Sequence, residues 1–220
     1  IWDTRTWRPL EMVRVPHLAV FGFCARSDGK RLVTLGRRPG VAVYEPPEGG
    51  AERVFDYVGQ SLSPYALRAE VSPDGRRLVV TGTDGCVNLF DFRTGALVRT
   101  LKDPTGGGYR SLTALAFAPG GSVVYVGDYK GAVVALEIPS LRVLWRRDGI
   151  TDRMSAVLRM IVRGKRLVCV TLEGCFVLDV DGGATTATLK GKAMSPFVRA
   201  TFADDDTLVV AFPGEGLKIY

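Results

Sequence analysis

The chain repeats itself, and no other feature restricts its fold as tightly. A tract of Gly, two basic residues and Leu-Val occurs as "GKRLV" at Gly29, "GRRLV" at Gly75 and "GKRLV" at Gly164. Looser copies are "GSVVYV" at Gly121 and "DDTLVV" at Asp205. The apolar anchors Leu32, Leu78, Val124, Leu167 and Leu208 are spaced by 46, 46, 43 and 41 residues. A second marker follows each apolar run, a turn closed by Gly40, Gly85, Gly131, Gly174 and Gly216, at spacings of 45, 46, 43 and 42. A third is an aromatic residue or Leu followed by an acid: Trp2-Asp3, Tyr44-Glu45, Phe90-Asp91, Leu136-Glu137 and Leu178-Asp179. Three unrelated markers share one period.

Within a copy the apolar pattern has a period of two, as a strand with one buried face requires. "ALRAEV" sets Leu67, Ala69 and Val71 against Arg68 and Glu70. "FVRATF" sets Val198, Ala200 and Phe202 against Arg199 and Thr201. "SPDG", "GTDG" and "RTG" are turns, because Pro presets one dihedral and Gly accepts a positive φ. The β-branched runs "RLVVTG" and "CVNLFDF" lie between them. No window of helical length keeps a 3.6-residue period. The chain is expected to be all-β, with four strands per copy, and a period in the forties is that of the four-stranded blades of a β-propeller. The expected repeats run over 4–45, 46–91, 92–137, 138–179 and 180–220, within one unit of 1–220. Five copies fit a closed five-bladed ring or part of a seven-bladed one. A strand near Thr6 to Val13 is placed to complete the C-terminal blade.

Ser72-Pro73-Asp74-Gly75, Asp84-Gly85 and Trp2-Asp3 resemble WD-repeat β-propellers. In that family such residues join the first two strands of a blade, join the second to the third, and close the third. The resemblance spans the chain. It is strong from Ser72 to Leu101 and weak from Thr151 to Gly191, where spacing carries it. It implies a buried tetrad of His, Ser or Thr, Asp and Trp, but only His17 stands where the His belongs, and its copy has "GRRPG" in place of the turn Asp. No copy holds a complete tetrad, so apolar packing between blades is expected to hold the fold. "SVVYVGDYKGAVVALEIPSLRVLWR" also resembles blades of quinoprotein-like and outer-membrane-assembly propellers.

Composition narrows the function. The net charge of +6 and pI of about 9.3 permit an acidic partner without demanding one. No apolar run approaches the ~18 residues of a membrane helix, and the opening "IWDTRTWRPL" is no secretory signal. It lacks Met, as expected of a processed or partial chain. Cys24, Cys86, Cys169 and Cys175 form no CxxC, and one His leaves little for a zinc site. A Cys169–Cys175 bridge across a hairpin is conceivable, but small buried thiols in a reducing compartment is the expected reading. Catalysis needs a positioned nucleophile, base or metal, and none is evident. Gly106–Gly108 lacks the Lys and helix of a phosphate loop. Asp204–Asp206 reads as a solvated hairpin tip.

Two surfaces remain. Lys30, Arg31, Arg76, Arg77, Lys165 and Arg166 occupy the same turn in three copies, joined by Arg163 and by Arg26. On one face they would form a basic arc able to contact phosphates or an acidic partner, or serve only solubility and protection of strand edges. The opposite end carries Arg37, Arg38, Tyr109, Arg110, Tyr129 and Lys130, residue types favoured as interface anchors. The expectation is an intracellular, cytoplasmic or nuclear, non-enzymatic scaffold. It would dock proteins of a larger complex, without cofactor, metal, small-molecule substrate or membrane insertion. A ribonucleoprotein component contacting RNA through the basic arc is the alternative.

Overall fold

A computed structural model describes residues 5–8, 20–25, 31–36, 41–45, 52–57, 66–108, 111–151, 155–191 and 195–220. These residues form nineteen strands in five antiparallel sheets and no helix. Sheet one is β1 (Val20–Ala25), β2 (Leu32–Gly36), β3 (Val41–Glu45) and β4 (Glu52–Tyr57). Sheet two is β5 (Ala66–Val71), β6 (Arg77–Gly82), β7 (Cys86–Asp91) and β8 (Leu97–Lys102). Sheet three is β9 (Leu112–Phe117), β10 (Val123–Asp128), β11 (Val133–Glu137) and β12 (Val143–Arg147). Sheet four is β13 (Val157–Arg163), β14 (Arg166–Thr171), β15 (Gly174–Asp179) and β16 (Thr185–Lys190). Sheet five is β17 (Arg199–Phe202), β18 (Leu208–Phe212) and β19 (Gly216–Ile219). Each sheet pairs its strands in chain order, as a meander. The all-β class and the repeated small sheets agree with the sequence pattern. Residues 5 and 6 form a turn with no strand through 8, and the rest of the expected N-terminal strand lies outside the described residues.

The three sequence markers acquire physical causes here. The acid that ends the third strand of sheets two, three and four folds the next turn. Asp91 accepts from the amides of Arg93 and Thr94 at 3.1 and 2.9 Å and from the Thr94 hydroxyl. Asp179 accepts from the amides of Asp181 and Gly182, and Glu137 from the Ser140 hydroxyl. The closing glycines Gly85, Gly131, Gly174 and Gly216 have φ of 69°, 86°, 142° and 89°, a region that side chains disfavour. A Cβ on Gly131 would also meet the Ser155 carbonyl at 3.0 Å. In "SPDG", Ser72 donates to Asp74 at 2.6 Å and accepts from the Arg77 amide at 2.9 Å. The third marker falls on the third strand of sheets one to four, so a repeat unit ending there is offset from a sheet by one strand.

The second strands read as continuous apolar runs because both their faces are covered. In β6, Leu78 and Val80 pack toward sheet one, with Val33, Val43 and Phe90, while Val79 packs toward sheet three with Val124, Val134 and Leu136. In β14, Leu167 and Cys169 join Tyr125 and Val157 against sheet three, while Val168 and Val170 join Val198, Val210 and Phe212 against sheet five. Four successive apolar clusters thus join five sheets in chain order. Burying one Val or Leu side chain contributes roughly 1.5–3 kcal/mol, so these face-to-face contacts are the main source of cohesion. Gly127 sits where Cβ would lie 2.8 Å from the Val157 Cβ, which lets sheets three and four close up. Fourth strands are the outer edges: β8 and β16 are largely exposed, and Arg99, Lys102 and Lys190 put charge on them, as solvent-facing edges require.

Candidate functional site

The antiparallel order puts the turns between first and second strands, and between third and fourth, at one end of the sheets. The basic turns lie there, and the described cations among them are engaged. Arg31 donates to the Phe92 carbonyl in sheet two and lies over the Phe92 ring, 5.4 Å from its centroid. Arg77 meets Asp91 at 3.5 Å and Arg76 meets Asp74 at 4.0 Å. Lys165 meets Asp181 at 3.3 Å. Arg163 and Arg166 reach across to sheet five, where they meet Asp205 at 2.6 Å and Asp206 at 3.1 Å. Arg166 also donates to the Asp205 carbonyl and lies over the Phe202 ring. The Asp204 carboxylate is held below its ordinary range by the amides of Asp206 and Thr207. The acidic tip is therefore the partner of the adjacent basic turn. Lys30 and Arg26 lie outside the described residues.

At the opposite end, Tyr129 is exposed and the Lys130 ammonium lies 5.6 Å from its ring centroid. Their turn is fixed by buried Asp128, which accepts from the amides of Lys130 and Ala132 at 2.8 and 2.9 Å. Arg37, Arg38, Tyr109 and Arg110 lie outside the described residues. The glycine run after sheet two wraps the Asp103 carboxylate, which accepts from the Gly107 and Gly108 amides. All four cysteines are free thiols. Burial pushes each upward, Cys24 and Cys175 to about 12 and Cys86 to about 11, so thiolate chemistry at neutral pH is disfavoured.

The first strands of all five sheets converge on one cavity of about 590 Å³. Phe23 lines it from β1, Arg68 and Glu70 from β5, Leu115 from β9, Arg159 from β13 and Arg199 from β17. Cross-sheet hydrogen bonds frame it. Arg68 donates to the Leu158 carbonyl at 3.3 Å, Thr113 to the Val157 carbonyl at 2.7 Å, and the Phe117 amide to Glu70 at 3.0 Å. Burial pushes the Glu70 carboxyl up to about 7, against the lowering effect of that amide. Burial lowers the pKa of Arg68.

Arg68 and Arg199 are legible in the sequence only as the polar face of their strands, and Arg159 draws no notice there. The signal is an Arg between apolar residues, "LRA", "LRM" and "VRA". Arg68 pairs with Thr81, Arg159 with Val170 and Arg199 with Ala211. Each partner lies three residues past its anchor, Leu78, Leu167 and Leu208. The three arginines therefore share one register.

No protein-family model matches the chain. The chain is similar to "Probable U3 small nucleolar RNA-associated protein 18" of Schizosaccharomyces pombe, with 23% identity over 198 residues. The match covers 87% of this chain and 37% of that protein.

Proposed function

We propose that the five sheets are blades of a WD-repeat-like β-propeller, whole or partial, and that it acts as a non-enzymatic docking scaffold inside a ribonucleoprotein assembly in the nucleus. The similarity along most of the chain to a protein named for its association with a small nucleolar RNA carries the assembly and the compartment. Convergence of all five first strands on one cavity supports the propeller, since only a radial arrangement brings them together.

Within such an assembly, protein contacts are the better reading of the surface. Arg31, Arg163 and Arg166 already hold acceptors on the next sheet. Using them on phosphates would break links between sheets. Exposed Tyr129, with Lys130 stacked on it, offers an aromatic anchor on a rigid turn.

Native protein sedimented with and without ribonuclease tests the reading. The expected result is a large particle that shrinks with ribonuclease and yields comigrating proteins by mass spectrometry. Sedimentation as a free monomer in both samples would overturn it.

A further inference from the structure

The cavity on which the five first strands converge is lined by three arginines with no carboxylate partner among the described residues. Among the described residues, Arg68 donates to the carbonyls of Leu67 and Leu158, at 2.7 and 3.3 Å, and Arg199 to those of Pro196 and Val198, at 3.0 and 2.9 Å. Arg159 makes no hydrogen bond or ion pair among the described residues, and both it and Arg199 are exposed. The contrast with the basic turns lies in the acids, because Arg76, Arg77, Arg163, Lys165 and Arg166 each meet a carboxylate. The one acid lining the cavity, Glu70, already accepts the Phe117 amide and is biased toward its neutral form by burial. Cations that line one cavity and are left without counter-charge there set up a local positive potential.

The shape selects the anion. Arginine forks recognise carboxylate and phosphate oxygens in pairs. A carboxylate presents two oxygens in one plane, a poorer match to donors set on three different sheets. A terminal phosphate presents three, and a volume of about 590 Å³ is within the range of small-molecule sites and holds more than one such group. A nucleic acid strand is a poorer fit. Single strands are held by successive aromatic platforms, and Phe23 is the one aromatic side chain lining the cavity.

We propose that the axial cavity is a binding site for a small, multiply phosphorylated anion, held by Arg68, Arg159 and Arg199. The site stands on its own geometry and does not depend on the ribonucleoprotein reading. Arg159 and Arg199 are the groups to change, since neither links one sheet to another.

Thermal unfolding of the full chain with sodium tripolyphosphate is the test. A ligand that binds only the folded state raises Tm, here by about 5 °C at saturation. The R159Q/R199Q double variant is expected to keep its basal Tm and lose most of that rise. An R76Q/K165Q variant, which removes the same charge from the turn end, is expected to keep the rise. No rise in the unaltered chain, or an equal rise in R159Q/R199Q, would overturn the site. Displacement of bound tripolyphosphate by a short oligoribonucleotide would overturn its assignment to a small anion.

Discussion

Two sets of arginines in this molecule come from the same repeat and meet opposite fates. Arg31, Arg77 and Arg166 stand just before the apolar anchor of their copies. Arg68, Arg159 and Arg199 share a register on the first strands. Arg31 and Arg166 are drawn onto the neighbouring sheet, and Arg77 onto the acid that ends its own third strand. The second set faces a cavity whose other walls are apolar, with one acid already in use. A repeat copies the charge, but the surroundings decide whether it is spent inside the fold or left for a ligand. At the turn end, the acids Asp74, Asp91, Asp181, Asp205 and Asp206 lie beside the cations. Along the first strands no acid recurs, so the cations stay uncompensated.

The largest test of this contrast lies at Glu70. Its carboxyl is raised to about 7, chiefly by burial. The folded state therefore holds a proton that the unfolded chain releases at its ordinary, lower pKa. Folding stability is fully present below that ordinary value and falls as the pH rises toward and through 7. The loss between about pH 5 and pH 8 is about 2–3 kcal/mol. Gln at this position can still accept the Phe117 amide, so Glu70→Gln should fold and be flatter in pH by that amount. Urea unfolding at the two pH values checks it. Equal pH dependence in both proteins would mean that Glu70 ionises normally, and the cavity would then be far less positive.

The next test sets one arginine of each kind side by side. Arg166→Ala removes a charge-assisted hydrogen bond to sheet five and a contact with the Phe202 ring. Discounted for its partial exposure, that should cost about 1–2 kcal/mol. Arg159→Ala removes a cation that holds nothing and should stay within about 0.5 kcal/mol of the parent. Equal costs by denaturant unfolding would erase the distinction. Thr113→Val, which breaks the neutral bond to the Val157 carbonyl, should fall between them at about 1 kcal/mol.

The sequence was informative about the fold in proportion to how local its signals are. Gly85 and Gly131 announce positive φ, Asp91 and Asp179 announce turns that wrap a carboxylate, and β6 and β14 announce burial on both faces. All of these are read within one copy. The axial arginines are not. Arg68 precedes its anchor by 10 residues, Arg159 by 8 and Arg199 by 9. The turns between first and second strands differ in length, "SPDGR" against "GK" against "ADDDT", so counting along the chain scatters them. Only strand pairing shows one layer. The pairing of the basic turns was hidden for a related reason. Arg163 and Arg166 find Asp205 and Asp206 across about 40 residues, on another sheet, where a charge run reads as solvated.

The smallest effect on stability bears most directly on function. The Lys165–Asp181 pair has side chains 82% and 70% exposed, and the Arg76–Asp74 pair 84% and 56%. Pairs so wet gain little from Coulomb attraction, because water and salt screen it, and they surrender side-chain entropy to form. R76Q/K165Q should change unfolding stability by less than about 0.5 kcal/mol. A phosphate could recruit those two cations without loosening a contact between sheets, because each pairs within its own sheet. If that end contacts RNA, the variant should weaken binding uniformly across sequences and reduce the slope of log affinity against log salt by about 1–2. An unchanged slope would leave the turn end to proteins and to the fold itself, with the axial cavity as the molecule's principal cationic site among the described residues.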